Sequence, residues 1–262
     1  MQYEQVEPDI YTVYKPAGYT PLQALDMLRT KAGIADKIPL TYAGRLDPMA
    51  EGLLLVLAGE AVHRKDEFLK LDKTYVVTAL LGVETDSFDL LGMPKLKNLD
   101  SPVSHRGMTS GGLGEEKIQR VLQSYVGEIT LPLPLYSSPP VDGKPLFQHA
   151  QQNSMQAQDT PTRTTTIYSC TLDALNTVSS DALRDYLHTT INSINGDFRQ
   201  ADTLKAWELL LAAQATLQTI TFTVRCSSGT YMRSLVQNLG TQLGTGACVY
   251  TLVRTQVGSF RL

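Results

Sequence analysis

The sequence predicts an α+β fold, a mixed and mainly antiparallel sheet flanked by helices and loops, and three observations carry that expectation. Ile220, Phe222, Val224 and Cys226 alternate with Thr221, Thr223 and Arg225, which is the period of a half-buried strand. Met232, Leu235, Val236, Leu239 and Leu243 then recur at the spacing of an amphipathic helix over about 231–243. Strand-like and helix-like segments intersperse along the chain without the strict alternation that builds a parallel doubly wound sheet.

In chain order, 10–14 reads as a short strand, ended by the turn Lys15-Pro16-Ala17-Gly18. Pro21 suits the first turn of a helix carrying Leu22, Leu25, Met27 and Leu28. Residues 39–48 hold Gly44 between two prolines without a clear period and read as a loop. The apolar run 52–57, bounded by Gly52 and Gly59, is a buried strand, 61–71 an amphipathic helix, and 75–81 a β-branched strand. Ser, Gly and Pro crowd 95–114, a mobile surface loop by composition. A helix is expected at 115–125. Pro132, Pro134, Pro139, Pro140 and Pro145 forbid regular helix over 131–145 and predict extended chain bending over a surface. Segments 181–191 and 204–213 look helical, and 247–255 closes the chain as a strand.

Composition excludes several classes of function. Of 262 residues, 42% are hydrophobic and 19% charged, which fits one globular domain and neither a disordered nor a coiled-coil chain. The wholly apolar stretches fall far short of the roughly 20 residues that cross a bilayer. The start, Met1-Gln2-Tyr3-Glu4-Gln5, lacks a basic region followed by an apolar run, so no secretory signal is expected and the cytoplasm is the implied compartment. Three scattered cysteines and four scattered histidines give neither a disulfide framework nor metal-ligand spacing, so no metal or cofactor is expected. The net charge of −3 argues against binding nucleic acid by bulk charge. Yet residues 221–262 carry four arginines and no acid, +4, against −7 for the remainder. A local basic surface on an acidic protein follows.

Three residues stand out chemically. Asp47 sits in a loop just before a buried strand, and Pro48 biases it towards extended geometry, with Arg45 facing the same side. Spacing alone favours the plainer reading, an aspartate that caps a turn. Arg233 occupies the first turn of its helix, where the macrodipole disfavours a cation by roughly 0.3–1 kcal/mol, so an anion should compensate unless the side chain is simply solvated. Tyr75 begins a strand, where a ring serves either the core or the face of a flat ligand.

At Gly44-Arg45-Leu46-Asp47-Pro48-Met49-Ala50-Glu51-Gly52-Leu53-Leu54 the sequence resembles the aspartate motif of pseudouridine synthases, in the G-x-L-D-P-x-A-x-G form of the TruB-type tRNA synthases. Arg45 and Glu51 also resemble the RsuA- and RluA-type rRNA enzymes. Further matches follow in TruB order. Lys15-Pro16-Ala17-Gly18-Tyr19-Thr20, Gly59-Glu60-Ala61, Asp72-Lys73-Thr74-Tyr75 and Leu80-Leu81-Gly82 through Thr85-Asp86 precede Tyr136-Ser137 and Gly143-Lys144-Pro145-Leu146. Cys226-Ser227-Ser228-Gly229-Thr230-Tyr231-Met232-Arg233 is close to C-S-K-G-T-Y-I-R, and Leu252-Val253-Arg254-Thr255 completes the series. Matches running from about residue 14 to 260 are highly specific.

The resemblance implies the pseudouridine synthase fold and an isomerase that turns uridine into pseudouridine at position 55 of the tRNA T-loop. By this match Asp47 is the catalytic aspartate, Tyr75 packs on the target base, Arg233 pairs with the aspartate, and Leu252 lines the pocket. Such a guanidinium would favour the ionised carboxylate. The implied RNA contacts are Lys15, Arg45, Lys73, Lys144 and Arg254. The partner is the T-arm stem-loop, bound by a monomer. The reaction needs the base flipped from its stack, at a cost of a few kcal/mol met by pocket contacts. A single catalytic domain over 1–262 is expected, with insertions near 95–114, 131–152 (the family's mobile thumb) and 181–213, and without the C-terminal PUA-like RNA-binding domain of many relatives. Three positions depart from the pattern: Tyr42 stands at the histidine that helps displace the base, Pro140 at the lysine of S-A-x-K, and Ser228 at that of C-S-K-G. Two alternatives stay open, the same chemistry on another RNA and a largely non-catalytic tRNA-folding chaperone.

Overall fold

β-branched and aromatic side chains are stiff at χ1 and pack well on a pleated surface, so the runs rich in them become strands. The computed structural model describes residues 2–96 and 114–262. The chain forms β1 (Tyr3–Glu7), β2 (Ile10–Lys15), α1 (Pro21–Ala32), β3 (Leu40–Ala43) and β4 (Ala50–Ala58), then a 3₁₀ turn (Gly59–Arg64) into the short α2 (Lys65–Leu69). Next come β5 (Lys73–Leu81), β6 (Val83–Thr85), β7 (Pro94–Leu96), α3 (Glu115–Gln123), β8 (Gly127–Pro132), β9 (Pro140–Val141), β10 (Lys144–Pro145) and α4 (Leu146–Gln151). The C-terminal half adds β11 (Thr162–Ser179), α5 (Ser180–Asn192), α6 (Gln200–Leu211), β12 (Thr216–Cys226), α7 (Met232–Leu243), β13 (Ala247–Val257) and β14 (Phe260–Arg261).

Among the described residues the main sheet has the order β1-β2-β4-β13-β5-β12-β11-β8, with β3 on β4 and β14 on β13. Every neighbour is antiparallel except β4 and β13, which run parallel with Leu252 opposite Ala50 and Arg254 opposite Gly52. That makes the sheet mixed and mainly antiparallel, as the patterning predicts. At the parallel contact the backbones approach so closely that a Cβ on Gly52 would lie 2.4 Å from the Arg254 carbonyl oxygen, and Gly52 also holds φ at +106°. Glycine is required there.

One face of the sheet buries α7 through Met232, Leu235, Val236, Leu239 and Leu243 against strand residues such as Val77, Phe222 and Val249. α1 starts on a capping box between Thr20 and Gln23, has Pro21 in its first turn and ends at Gly33 in the left-handed region. Its buried side is Pro21, Ala24, Leu25 and Leu28, while Leu22, expected in the apolar stripe, is 61% exposed. α5 and α6 share a second core, in which Leu183, Leu187, Trp207 and Leu211 pack with Leu90 and Cys248. The Trp207 indole N–H donates to the Leu90 carbonyl at 3.0 Å.

Two local readings are corrected. Residues 39–48 are not all loop, because 40–43 pair with β4 as β3. The helix expected over 61–71 is a 3₁₀ turn and one short helix. The segment 131–145 is extended, as its prolines predict: it finishes the edge strand β8 and then makes the β9–β10 hairpin, and Leu133 and Leu135 between them bury with Leu146 of α4. Of the loop expected at 95–114, residues 97–113 lie outside the described residues.

Candidate active site

The loop between β3 and β4 presents Asp47, and neighbouring elements fasten it on both sides. On the near side Arg254 of β13 is 1% exposed and spends its guanidinium on backbone carbonyls, Leu53 at 2.8 Å, Gly44 at 3.0 Å and Arg45 at 3.4 Å. On the far side the fully buried Lys15 ammonium donates to Tyr19 at 2.6 Å, Pro16 at 3.0 Å and Pro48 at 3.4 Å, while Gly18 N–H donates to Pro48 at 2.9 Å. Burial lowers the Lys15 ammonium to about 7. Lys73, at the start of β5, donates to Leu69 at 2.7 Å and Leu71 at 2.6 Å and is lowered to about 8 by burial and by Arg254.

Asp47 meets Arg233 across the site. Arg233 Nε donates to Asp47 Oδ2 at 2.8 Å, Nη1 to the Ser87 carbonyl at 2.8 Å and Nη2 to the Tyr136 carbonyl at 3.1 Å. The arginine side chain is 5% exposed and that of Asp47 30%, so the carboxylate alone faces outward. This pair supplies the anion that an arginine in the first turn of α7 calls for. Behind it lies Asp89, 4% exposed, whose Oδ2 is 3.8 Å from Arg233 Nε. Ser87 Oγ at 2.5 Å and the Leu91 N–H at 3.1 Å both donate to Asp89 Oδ1. Burial raises the Asp89 carboxyl, with Arg233 opposing. For Arg233, burial works against the charge, and Asp47 and Asp89 overcome it, so the guanidinium is held above its ordinary value.

These groups open on a cavity of about 260 Å³, just below the usual range of ligand pockets (roughly 300–1,000 Å³). Tyr75 and Leu252 give it an aromatic and an apolar wall; Asp47 and Arg233 give the charged one. Tyr75, from β5, is 9% exposed, and burial raises its hydroxyl despite the nearby Arg254. The turn before α7 adds Thr230 and Tyr231, shaped by Gly229 at φ +83° and by the Thr230 hydroxyl donating to the Ser227 carbonyl at 2.9 Å. Ser137 and Ser138, before β9, close the mouth, where Arg45 reaches Ser138 Oγ.

Asp47, Tyr75, Arg233 and Leu252 therefore come together from four separated segments. Tyr42 does not join them: it lies on β3 outside the cavity lining, with the Lys65 ammonium 5.6 Å from its ring centre. Lys15, Lys73 and Arg254, expected to contact RNA, are buried with N–H donors turned to backbone carbonyls, and Lys73 and Arg254 line the cavity. Arg45 and Lys144 are exposed. Pro140 is exposed on its hairpin and Ser228 half-buried in the turn before α7. Asp89 escaped the sequence reading; its signal is an acid between Phe88 and Leu90 in an otherwise apolar stretch, where a buried charge needs a partner. Among the described residues no three His, Cys, Asp or Glu side chains are grouped to hold a metal, and no helix is long and apolar enough to cross a membrane.

One accessible carboxylate, pinned by a buried guanidinium beside an aromatic wall, suits chemistry on a flat ring. Residues 34–191 match the profile of the TruB family pseudouridylate synthase N-terminal domain. The chain is 32% identical over 248 residues to the tRNA pseudouridine synthase B of Bordetella pertussis, covering 95% of this chain and 80% of that protein. It is 28% identical over 254 residues to the tRNA pseudouridine synthase B of Protochlamydia amoebophila, covering 97% and 75%. A crystal structure of a Cbf5-Nop10-Gar1 complex contains a chain of the same fold, with TM-score 0.56 and 19% identity over 95% of this chain and 49% of that one. This chain thus spans about half the length of that structural neighbour. The chain belongs to the TruB family of pseudouridylate synthases.

Proposed function

We propose that the protein isomerises uridine to pseudouridine in tRNA, at position 55 of the T-loop, with Asp47 as the carboxylate that acts at the glycosidic bond. The observation that carries this reading is the 2.8 Å Asp47–Arg233 pair opening on a cavity walled by Tyr75 and Leu252. In the overall change the N1–C1′ bond breaks, a C5–C1′ bond forms, C5 loses a proton and N1 gains one, so no group is added or lost. The flipped uracil packs on Tyr75 and over Leu252, and water is displaced from around the carboxylate. Arg233 holds Asp47 in one orientation towards the sugar. Lys15 and Arg254 act on the loop rather than on the substrate. Arg45 at the cavity and Lys144 on the β9–β10 hairpin, both exposed, meet RNA phosphates. The enzyme works as a cytoplasmic monomer, as one catalytic domain without a metal ion.

The test is pseudouridine formation at position 55 of an unmodified T-arm transcript, comparing wild type with Asp47→Asn. Conversion by wild type is expected, with a loss of at least roughly 10²–10⁴-fold in the variant and RNA binding retained. Binding without conversion by wild type would replace this reading with tRNA folding, or with another target RNA.

A further inference from the structure

Arg199 caps the start of α6, far along the sequence from every residue of the cavity wall, and it holds φ at +59°. A non-glycine residue stays in that region only where its surroundings fix it. The Arg199 backbone N–H donates to Asp197 Oδ1 at 3.2 Å and its carbonyl accepts from Thr203 N–H at 2.9 Å, while its side chain makes a two-sided grip. Its Nη1 donates to Asp86 Oδ2 at 2.8 Å and its Nη2 to Asp86 Oδ1 at 3.3 Å. The same guanidinium lies 4.6 Å over the Tyr136 ring, and the Tyr136 hydroxyl donates to Asp86 Oδ2 at 3.5 Å.

The two residues that Arg199 joins are tied to the acceptors that orient Arg233. Arg233 Nη2 donates to the carbonyl of Tyr136 itself, and Nη1 to that of Ser87, the neighbour of Asp86. With both terminal nitrogens fixed, the plane of the guanidinium is set, and Nε is left aimed at Asp47. Asp86 is further held by the Met93 N–H at 2.9 Å on Oδ1. Docking of the α5–α6 pair has its own apolar core and the Trp207–Leu90 hydrogen bond, and so does not require Arg199.

We infer that Arg199 is a positioning residue for the reaction, gripping Asp86 and Tyr136 so that the Ser87 and Tyr136 carbonyls hold Arg233 against Asp47. A lysine cannot replace it, because it lacks the planar fork that makes the bidentate contact and the stack together. The inference rests on the reading of Asp47 as the reacting group.

The experiment measures single-turnover conversion of the T-arm transcript at saturating enzyme, together with RNA affinity, for wild type, Arg199→Ala, Arg199→Lys and Arg184→Ala. Arg184 pairs with Glu208 and Asp181 on the same helices but reaches no cavity residue, so its loss reports loosening of the helix pair alone. Both Arg199 variants should slow conversion at least about tenfold with affinity unchanged, since a displacement of ~1 Å can cost roughly 10²-fold. Arg184→Ala should convert at the wild-type rate. Equal slowing by Arg184→Ala, or wild-type rates in both Arg199 variants, overturns the inference. The Arg233 Nε–H resonance, identified by its loss in Arg233→Lys, should move in Arg199→Ala and stay in Arg184→Ala. An unmoved resonance refutes the inference even if wild type proves inactive, an outcome that would count against the proposed function alone.

Discussion

Asp47 and Asp89 face one guanidinium from two depths: Arg233 Nε lies 2.8 Å from Oδ2 of the first and 3.8 Å from Oδ2 of the second. The Asp47 side chain is 30% exposed and that of Asp89 6%, so only one carboxylate opens on the cavity. The inner acid lets a fully charged arginine stand in the protein interior while the outer one remains accessible to a substrate.

Removing the arginine should therefore expose the cost of the inner acid. Arg233→Met leaves Asp89 buried without its cation, and the expected loss in urea unfolding is about 3–5 kcal/mol. Adding Asp89→Asn should recover part of that loss. Burial already raises the Asp89 carboxyl, so the deficit of the single variant should shrink as pH falls and the acid is neutralised. A double variant less stable than the single one would refute the pairing.

The buried and exposed cations should separate in salt titrations of RNA binding. Arg45→Ala and Lys144→Ala should each reduce the log–log salt slope by about 0.7–0.9. Arg254→Met should leave the slope unchanged, slow the reaction, and cost stability, because the Leu53 and Gly44 carbonyls lose donors worth about 1–3 kcal/mol each. A reduced slope in Arg254→Met would place that side chain on the RNA after all.

Lys15 predicts a pH dependence of stability. Its ammonium is lowered from 10.5 to about 7, so between those values the unfolded chain binds more protons and stability rises with pH. Lys15→Met removes the titration and three hydrogen bonds, so the gap between wild type and variant should widen from pH 7 to pH 9.5. Chemical denaturation across that range checks it; parallel curves would contradict the buried ammonium.

Gly52→Ala should disrupt the parallel β4–β13 contact. Overpacking there costs roughly 1–3 kcal/mol, and left-handed backbone adds roughly 1–2 kcal/mol. Thermal unfolding should show the loss, and activity should fall with it because Arg254 lies directly opposite.

Much of this was readable in advance where one local pattern decides the outcome. The alternation at 220–226, the stripe of α7 and the start of α1 at Pro21 needed only neighbours in sequence. β11 was not legible: it runs 18 residues through Thr-rich, largely exposed positions, and two bulges against β12 break its period. β3 is four residues long and owes its strand to pairing with β4. The Asp47, Tyr75, Arg233 and Leu252 set was legible through its motifs, whereas the roles of Lys15, Lys73 and Arg254 were not. A lysine or arginine in a sequence reads as a surface cation, and only the packed structure shows that its donors are already taken.

The position of β13 has a consequence for how the molecule comes into being. This strand separates β4 from β5, although it follows both by well over a hundred residues. A growing chain leaving the ribosome therefore carries two sheet edges that cannot meet until β13 is made. The cavity, with one wall on each side of that gap, is completed only once that strand is in place. Such late, non-local closure folds slowly and leaves strand edges open meanwhile. The newborn protein is thus exposed to aggregation and inactive until the same wedge both zips the sheet and completes the site.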